Sequence, residues 1–360
     1  MATHFHQLSI ADIRKETPDC VSIAFHIPGE LKEEYLFKQG QNVTLRTFMN
    51  GEELRRSYSI CSSPLENELR VAIKKAEFGK FSTWANSALK KGDVLEVLPP
   101  TGKFYTELHA GNKKKYVAFA AGSGITPVIS LIKTTLLTEP QSSFTLIYGN
   151  RNRANIIFKD QLEALKNRYM NRLAIHHVLS REKTDALINY GRINADKCTE
   201  LCEKLVDLNN TDELFICGPE EMIFSVRDWL QQKGIDKKKI HFELFTTPGQ
   251  RSEARSQKSE VKQSSGKTSK ITVKLDGIAF DFDLAVDGEV ILDAALKQGA
   301  DLPFACKGGV CATCKAKLLE GRVEMDTNYA LEQEEVEEGY ILTCQSHPRT
   351  DKVVVDFDIK

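Results

Sequence analysis

The sequence has no run of about 18 apolar residues, the length a membrane-spanning helix needs. Its best candidate stretch, YVAFAAGSGITPVISLI, is broken by Gly, Ser, Thr and Pro. The first twenty residues, MATHFHQLSIADIRKETPDC, lack the apolar core of a secretory signal. Neither sign of charge dominates: 49 Lys and Arg stand against 50 Asp and Glu. There is therefore no global pull toward nucleic acid or anionic lipid. No internal repeat is visible. Together these absences predict a cytoplasmic protein, in which cysteines are reduced thiols or metal ligands rather than disulfides. What remains is a chain of 360 residues, 41% of them hydrophobic, enough for two or three ordinary domain cores.

One segment cannot contribute to a core. Thr246 to Lys270, TTPGQRSEARSQKSEVKQSSGKTSK, is nearly free of apolar residues and reads as a flexible linker. Before it, the first hundred residues hold VSIAFHI, QNVTLRTF, RRSYSICS, ELRVAIKKA and DVLEVLPPTG, short β-like segments separated by turn signals that predict a small β-barrel. From about residue 115 the pattern changes to short apolar strands (KYVAFAAG, FTLIYGNR, LAIHHVLS, DELFICGP) alternating with helical stretches. This alternation predicts an α/β domain with a parallel sheet. After the linker come a hairpin, a short amphipathic helix ending at Gly299, and a closing strand, KVVVDFDI. The expected division is a barrel over 1–110, an α/β domain over 111–248, a linker over 249–270 and a small domain over 271–360.

Three of nine cysteines fall in CKGGVCATC. Four residues separate Cys306 from Cys311, two separate Cys311 from Cys314, and 29 separate Cys314 from Cys344. A C-x4-C-x2-C…C spacing suits four thiolates around two irons, with Gly308 and Gly309 letting the loop wrap closely. Structural zinc usually takes two C-x2-C knuckles, and the second is missing here; zinc and chance clustering remain the alternatives. The other cysteines, Cys20, Cys61, Cys198, Cys202 and Cys217, are not needed for a cluster. Cys198 and Cys202, spaced i, i+4, could pair on a helix, but read better as buried or idle thiols.

LPFACKGGVCATCKAKLLEGRVEM and GYILTCQSHPRTDKVVVDFD resemble the plant-type ferredoxin domain. The resemblance implies an α+β β-grasp fold over 271–360 and a [2Fe-2S] cluster on Cys306, Cys311, Cys314 and Cys344. The barrel resembles the flavin domain of the ferredoxin–NADP reductase superfamily, through Arg56-x-Tyr58-Ser59 and VAIKKAEFGKFSTWAN. That likeness implies FAD, with Arg56 on its pyrophosphate, Tyr58 stacked on the isoalloxazine and Ser59 near N5. Gly79 to Thr83 would open a helix toward the pyrophosphate, so Ile73, Lys74, Gly79, Lys80, Phe81 and Ser82 join the cofactor set, with Lys75 nearby.

A glycine-rich turn, AAGSGITPVISLI, follows the strand KYVAF and opens a helix. Gly122 and Gly124 would let phosphate approach the backbone, with Thr126 and Pro127 completing the turn. This G-x-G-x-x-P is weak by itself. LIYGNR and FICGPEEM, in the superfamily's order, imply a nicotinamide domain with Cys217, Gly218 and Pro219 beside the ring. HFELF supplies Glu243 and Phe245, matching the segment that closes over the flavin, where the usual role is positioning and proton supply. Ser59, Cys217 and Glu243 are thereby placed at the reacting atoms. Ser180 and Arg181 stand where NADP-selective members hold the 2′-phosphate, implying NADPH rather than NADH.

The module order implies an oxidoreductase that steps electrons down from NADPH through FAD to [2Fe-2S] and on to a separate protein. It resembles the reductase components of multicomponent monooxygenases, and implies the oxygenase component, of di-iron type, as partner. A Rieske-type dioxygenase, a fatty-acyl hydroxylase or a hybrid-cluster protein would be served by the same modules. A non-enzymatic electron carrier is the alternative of a different class.

Overall fold

The computed structural model describes residues 4–245 and 267–359. Most of the expected linker therefore lies outside the described residues; at its far end, Thr268–Leu275 is already a strand.

Six antiparallel strands form the first unit: β1 (His6–Thr17), β2 (Cys20–Phe25), β3 (Asn42–Met49), β4 (Glu52–Ser59), β5 (Leu69–Lys74) and β6 (Val94–Val97), in the order β4-β3-β6-β1-β2-β5. Ile60, just past β4, bridges Val71 of β5, so the two edges meet and the sheet closes into a barrel. β1 was not among the expected strands. Its burial does not alternate, and its pairing with β2 shifts register twice, so a period-2 search passes over it. β3 and β4 are joined by Asn50 and Gly51, with φ of 52° and 80°, the two-residue turn that Asn-Gly favours in hairpins. Val43 and Leu45 point into the barrel core. The alternate positions of the same hairpin, Asn42, Thr44, Arg55 and Ser59, are polar and yet buried. A short helix, α1 (Lys80–Ser87), covers one mouth of the barrel.

The second unit has five strands, all parallel: β7 (Lys115–Ala121), β8 (Ser143–Asn150), β9 (Leu173–Leu179), β10 (Glu213–Cys217) and β11 (Ile240–Glu243), ordered β11-β10-β7-β8-β9. Strands covered on both faces carry apolar residues at every position, as in Phe215-Ile216-Cys217. The helices between them are α2 (Ile125–Thr138), α3 (Lys159–Arg168), α4 (Ala195–Leu205) and α5 (Glu220–Gln232). α2 is buried on nearly every side, because it sits between the sheet and the barrel. Its few polar groups are paired across that junction: Ser130 Oγ donates to the Ser62 carbonyl at 2.6 Å, and the Thr134 and Ser63 hydroxyls lie 2.9 Å apart. Cys198 and Cys202 on α4 are buried free thiols.

The third unit holds β12 (Thr268–Leu275), β13 (Ile278–Ala285), α6 (Ile291–Lys297), β14 (Lys315–Glu320), β15 (Val323–Met325), α7 (Gln333–Glu337), β16 (Tyr340–Leu342), β17 (Ser346–Pro348) and β18 (Lys352–Asp356). The main sheet runs β13-β12-β18-β14-β16, with only the β12–β18 pair parallel. α6 lays Ile291, Leu292 and Ala295 onto Ile271, Val273, Val353 and Val355, giving a β-grasp. Among the described residues no helix is long and apolar enough to cross a membrane.

Candidate redox centre between the three units

The four clustered cysteines come together as two pairs. Cys306 shares a hydrogen bond with Cys311, and Cys314 with Cys344, and these bonds hold the Cys311 and Cys344 thiols below the ordinary value while Cys306 and Cys314 are pushed up. Among the described residues no group of three or more His, Cys, Asp or Glu is placed to hold a metal ion. Two thiolates per iron, with inorganic sulfide between the irons, is what a two-iron cluster asks of the protein, so the pairing fits that group. The loop around it is wound by left-handed residues: Lys307, Gly309 and Ala312 have φ of 51°, 74° and 54°. A Cβ on Gly309 would lie 2.9 Å from the Thr327 carbonyl. The Gly308 amide donates to the Cys306 sulfur at 3.3 Å, and the Gln345 side-chain amide reaches Cys344 at 3.7 Å.

On the barrel, β4 points alternate side chains in opposite directions. Arg56 and Tyr58 share one side; Tyr58 rests against Phe81, ring centroids 5.7 Å apart. Phe81 and Ile73 are buried in the barrel core, so they can offer a ligand only backbone. Gly79 caps α1 without a side-chain hydrogen bond, and Ser82 Oγ, 2.4 Å from where a Gly79 Cβ would be, accepts the Ala76 amide at 3.0 Å. The first amides of α1 are thus left toward a ligand, an arrangement that fits a pyrophosphate. Lys80 is exposed and paired with Glu52 at 2.6 Å; Lys75 is exposed as well.

The parallel sheet brings the nicotinamide candidates to the C-terminal ends of its strands, where open α/β sheets bind ligands. Gly122 follows β7, Ser180 and Arg181 follow β9, Gly218 and Pro219 follow β10, and Phe245 follows β11. Arg181 is exposed, and its amide donates to the Arg151 carbonyl at 2.8 Å. Gly122 has φ of 55°, and a Cβ there would lie 3.6 Å from Lys74 Nζ, so a barrel cation reaches the glycine turn. Gly124 also answers to a packing constraint. Its Cβ would lie 2.0 Å from the Cys217 carbonyl oxygen, so the absent side chain lets β10 close on the turn. Thr126 spends its hydroxyl on the Ser123 carbonyl at 2.9 Å, and Pro127 sits buried in the first turn of α2, where a missing amide costs nothing.

Glu243 joins the three units. Ser59 Oγ donates to its Oε2 at 2.9 Å, and Asn42 also hydrogen-bonds its carboxyl. Cys217 is its register partner on β10. Glu243 and Cys311 both line one cavity of about 600 Å³, which also meets Phe104, Arg227, His241 and Tyr329. Loss of water around the carboxyl pushes Glu243 up to about 7 against the pull of the Ser59 and Asn42 hydrogen bonds; the Cys311 thiolate adds to the rise. Burial also pushes the Cys217 thiol far up, so that it sits as a neutral, apolar wall. Asn42 escaped the sequence reading because QNVTLRTF carries only a strand signal; no local motif marks it.

Residues 7–105 match the oxidoreductase FAD-binding domain, residues 119–228 the oxidoreductase NAD-binding domain, and residues 273–349 the 2Fe-2S iron-sulfur cluster binding domain. The chain is 48% identical over 358 residues to a subunit of 1,2-phenylacetyl-CoA epoxidase from Escherichia coli (strain K12), covering 99% of each. It is 32% identical over 353 residues to the ferredoxin reductase component of 3-ketosteroid-9-alpha-monooxygenase from Rhodococcus rhodochrous, covering 97% of this chain and 96% of that one. Among solved structures, phthalate dioxygenase reductase aligns over 98% of each chain at 23% identity with a TM-score of 0.58, a likeness of fold.

Proposed function

From the premise that this chain belongs to the family of flavin- and iron–sulfur-containing reductase components that includes the matched 1,2-phenylacetyl-CoA epoxidase polypeptide, we propose that it carries electrons from NADPH to a di-iron oxygenase acting on phenylacetyl-CoA in phenylacetate catabolism. The observation that carries this reading is Glu243, held by Ser59 of the barrel, registered with Cys217 of the parallel sheet and sharing a cavity with Cys311. Three candidate redox sites meet within one set of contacts, so no long-range relay is required. The domain limits expected from the sequence, a barrel to residue 110, an α/β unit to 248 and a ferredoxin unit from 271, belong to the same proposal.

FAD supplies a two-electron acceptor that releases electrons singly, and the [2Fe-2S] cluster supplies a one-electron carrier. Around them the residues of the chain bind and orient. Arg56, Lys74 and the first amides of α1 hold the pyrophosphate; Tyr58, braced by Phe81, presents its ring as a stacking plane. Gly122, Gly218 and Pro219 leave room at the strand ends for the nicotinamide, and Cys217 excludes water beside it. Ser59 and Glu243 hold or take up a proton at the flavin edge: a carboxyl pushed up to about 7 exchanges protons readily near neutrality. Arg181, with Ser180, takes the 2′-phosphate and so favours NADPH. Cys306, Cys311, Cys314 and Cys344 hold the irons.

The test is reconstitution. Protein carrying FAD and about two irons per chain is mixed with the oxygenase component, phenylacetyl-CoA, oxygen and either NADPH or NADH. Epoxide formation that requires this chain and runs faster with NADPH is expected. Turnover only with a Rieske dioxygenase, or no oxidation of either coenzyme, would overturn the assignment.

A further inference from the structure

The outward face of the β3–β4 hairpin is polar, and in an isolated barrel such a face would meet water. Here it is covered by the segments that flank the cluster loop. Arg55 is the deepest charged group in the contact, with only 5% of its side chain exposed. Its guanidinium donates to the Leu302 carbonyl at 3.1 Å and to Asp301 at 3.3 Å, and its Nε is anchored by Glu53 of the same strand at 2.6 Å. The guanidinium carbon stands 4.0 Å from the ring centre of Phe304 and 5.0 Å from that of Phe5. Two residues further along the strand, Ser57 meets the Thr44 hydroxyl at 3.1 Å, and Thr44 in turn meets Thr313 at 3.5 Å. The next outward position is Ser59, bonded to Glu243. Arg55, Ser57 and Ser59 thus make three consecutive rungs toward residues 301–304, Thr313 and the Cys311 cavity.

We propose that Arg55 is a positioning residue that fixes the cluster loop on the barrel, and so sets the geometry of electron transfer from flavin to cluster. This rests on the functional reading above. Asp301 is 77% exposed, and an ion pair so open to water holds little. The weight falls on the desolvated bond to the Leu302 carbonyl and on the face of Phe304, where a planar guanidinium serves both at once and a lysine would not. Glu53 neutralises Arg55 from within β4, so the charge is paired on its own strand independently of the loop. The contact lies two residues before Cys306, close enough to orient the first ligand without being one.

Hydrogen–deuterium exchange on the full-length holoprotein tests this, with no coenzyme added. Arg55→Ala should speed exchange of the peptides spanning 299–304 and 312–316, whose Gly299, Ala300 and Lys315 amides are hydrogen-bonded, by at least about 10-fold, with iron and flavin contents unchanged. Phe304→Ala approaches the same contact from the other side and covers the case in which Arg55→Ala does not fold. The double variant should be no faster than the faster single one. In rapid mixing with NADPH, flavin bleaching and ferricyanide reduction should match the wild type in each variant. Cluster bleaching should lag by about 10-fold or more, and Arg55→Lys should not restore it. Unchanged exchange in both peptides, additive effects in the double variant, or an undelayed cluster would each overturn the role of Arg55. Failure of NADPH to bleach the wild-type flavin would fall on the functional reading instead, because exchange reads the contact without it.

Discussion

Ser59 Oγ and Glu243 Oε2 lie 2.9 Å apart although they stand 184 positions apart in the chain. One ends β4 of the barrel and the other ends β11 of the parallel sheet, so the bond also pins the two units together at their chemical seam.

Glu243→Gln should change the pH dependence of stability. The Glu243 carboxyl rises from 4.5 to about 7 in the folded chain. A raised carboxyl binds its proton more tightly folded than unfolded, so its contribution is full below 4.5 and is lost as pH climbs through about 7. Glutamine cannot ionise. The drop in Tm between pH 5 and pH 8 should therefore be smaller in the variant, measured by calorimetry; an equal or larger drop would refute the assignment.

Removing Arg181 should erase coenzyme preference. Arg181→Ala is expected to lower kcat/KM for NADPH by about 10- to 100-fold, the loss of one charge-assisted phosphate contact. Steady-state rates with NADH should stay near the wild type. A wild type that prefers NADH, or equal losses with both coenzymes, would place the 2′-phosphate elsewhere.

Gly124→Ala should be destabilising out of proportion to one methyl group. Its Cβ would lie 2.0 Å from the Cys217 carbonyl oxygen and 2.8 Å from the Gly218 amide, and backbone cannot step aside as a side chain can. A loss of about 1–3 kcal/mol is expected in chemical denaturation. A neutral substitution would mean that β10 and the glycine turn are not held so close.

Cys311→Ser should separate the cofactors. Visible absorption of the cluster and its iron should fall, while the yellow flavin spectrum and NADPH–ferricyanide activity remain. Retention of about two irons per chain would refute the ligand set.

The parts most legible in the sequence are those whose chemistry is local. Cys306 to Cys314 lie on one loop, and Arg56 to Ser59 on one strand, so their spacing is itself the site. The parallel sheet was readable because strand and helix periods alternate along the chain. Contacts between units were not readable. Asn42, Arg55 and Asp301 look like ordinary strand or loop residues, and only burial against a distant segment gives them a task. Gly124 shows a subtler gap: its place in the motif speaks of phosphate, and the packing of the Cys217 backbone against it is not legible there. β1 went unseen because its bulges spoil the alternation that marks a strand.

The hairpin turn at Asn50 and Gly51 has a reach far beyond its own surface position. A two-residue turn sets which residue of β4 stands opposite which residue of β3. It thereby decides that Arg55, Ser57 and Ser59 look outward while Arg56 and Tyr58 look the other way. One residue inserted there would re-index the strand. Arg55 would slide into the place of Arg56, uncharged Leu54 would fall where Arg55 meets the cluster loop, and tyrosine would arrive where serine must meet Glu243. Every side chain of the proposed path would survive in the gene product and none would be in register, so the turn acts as the reading frame of the electron route.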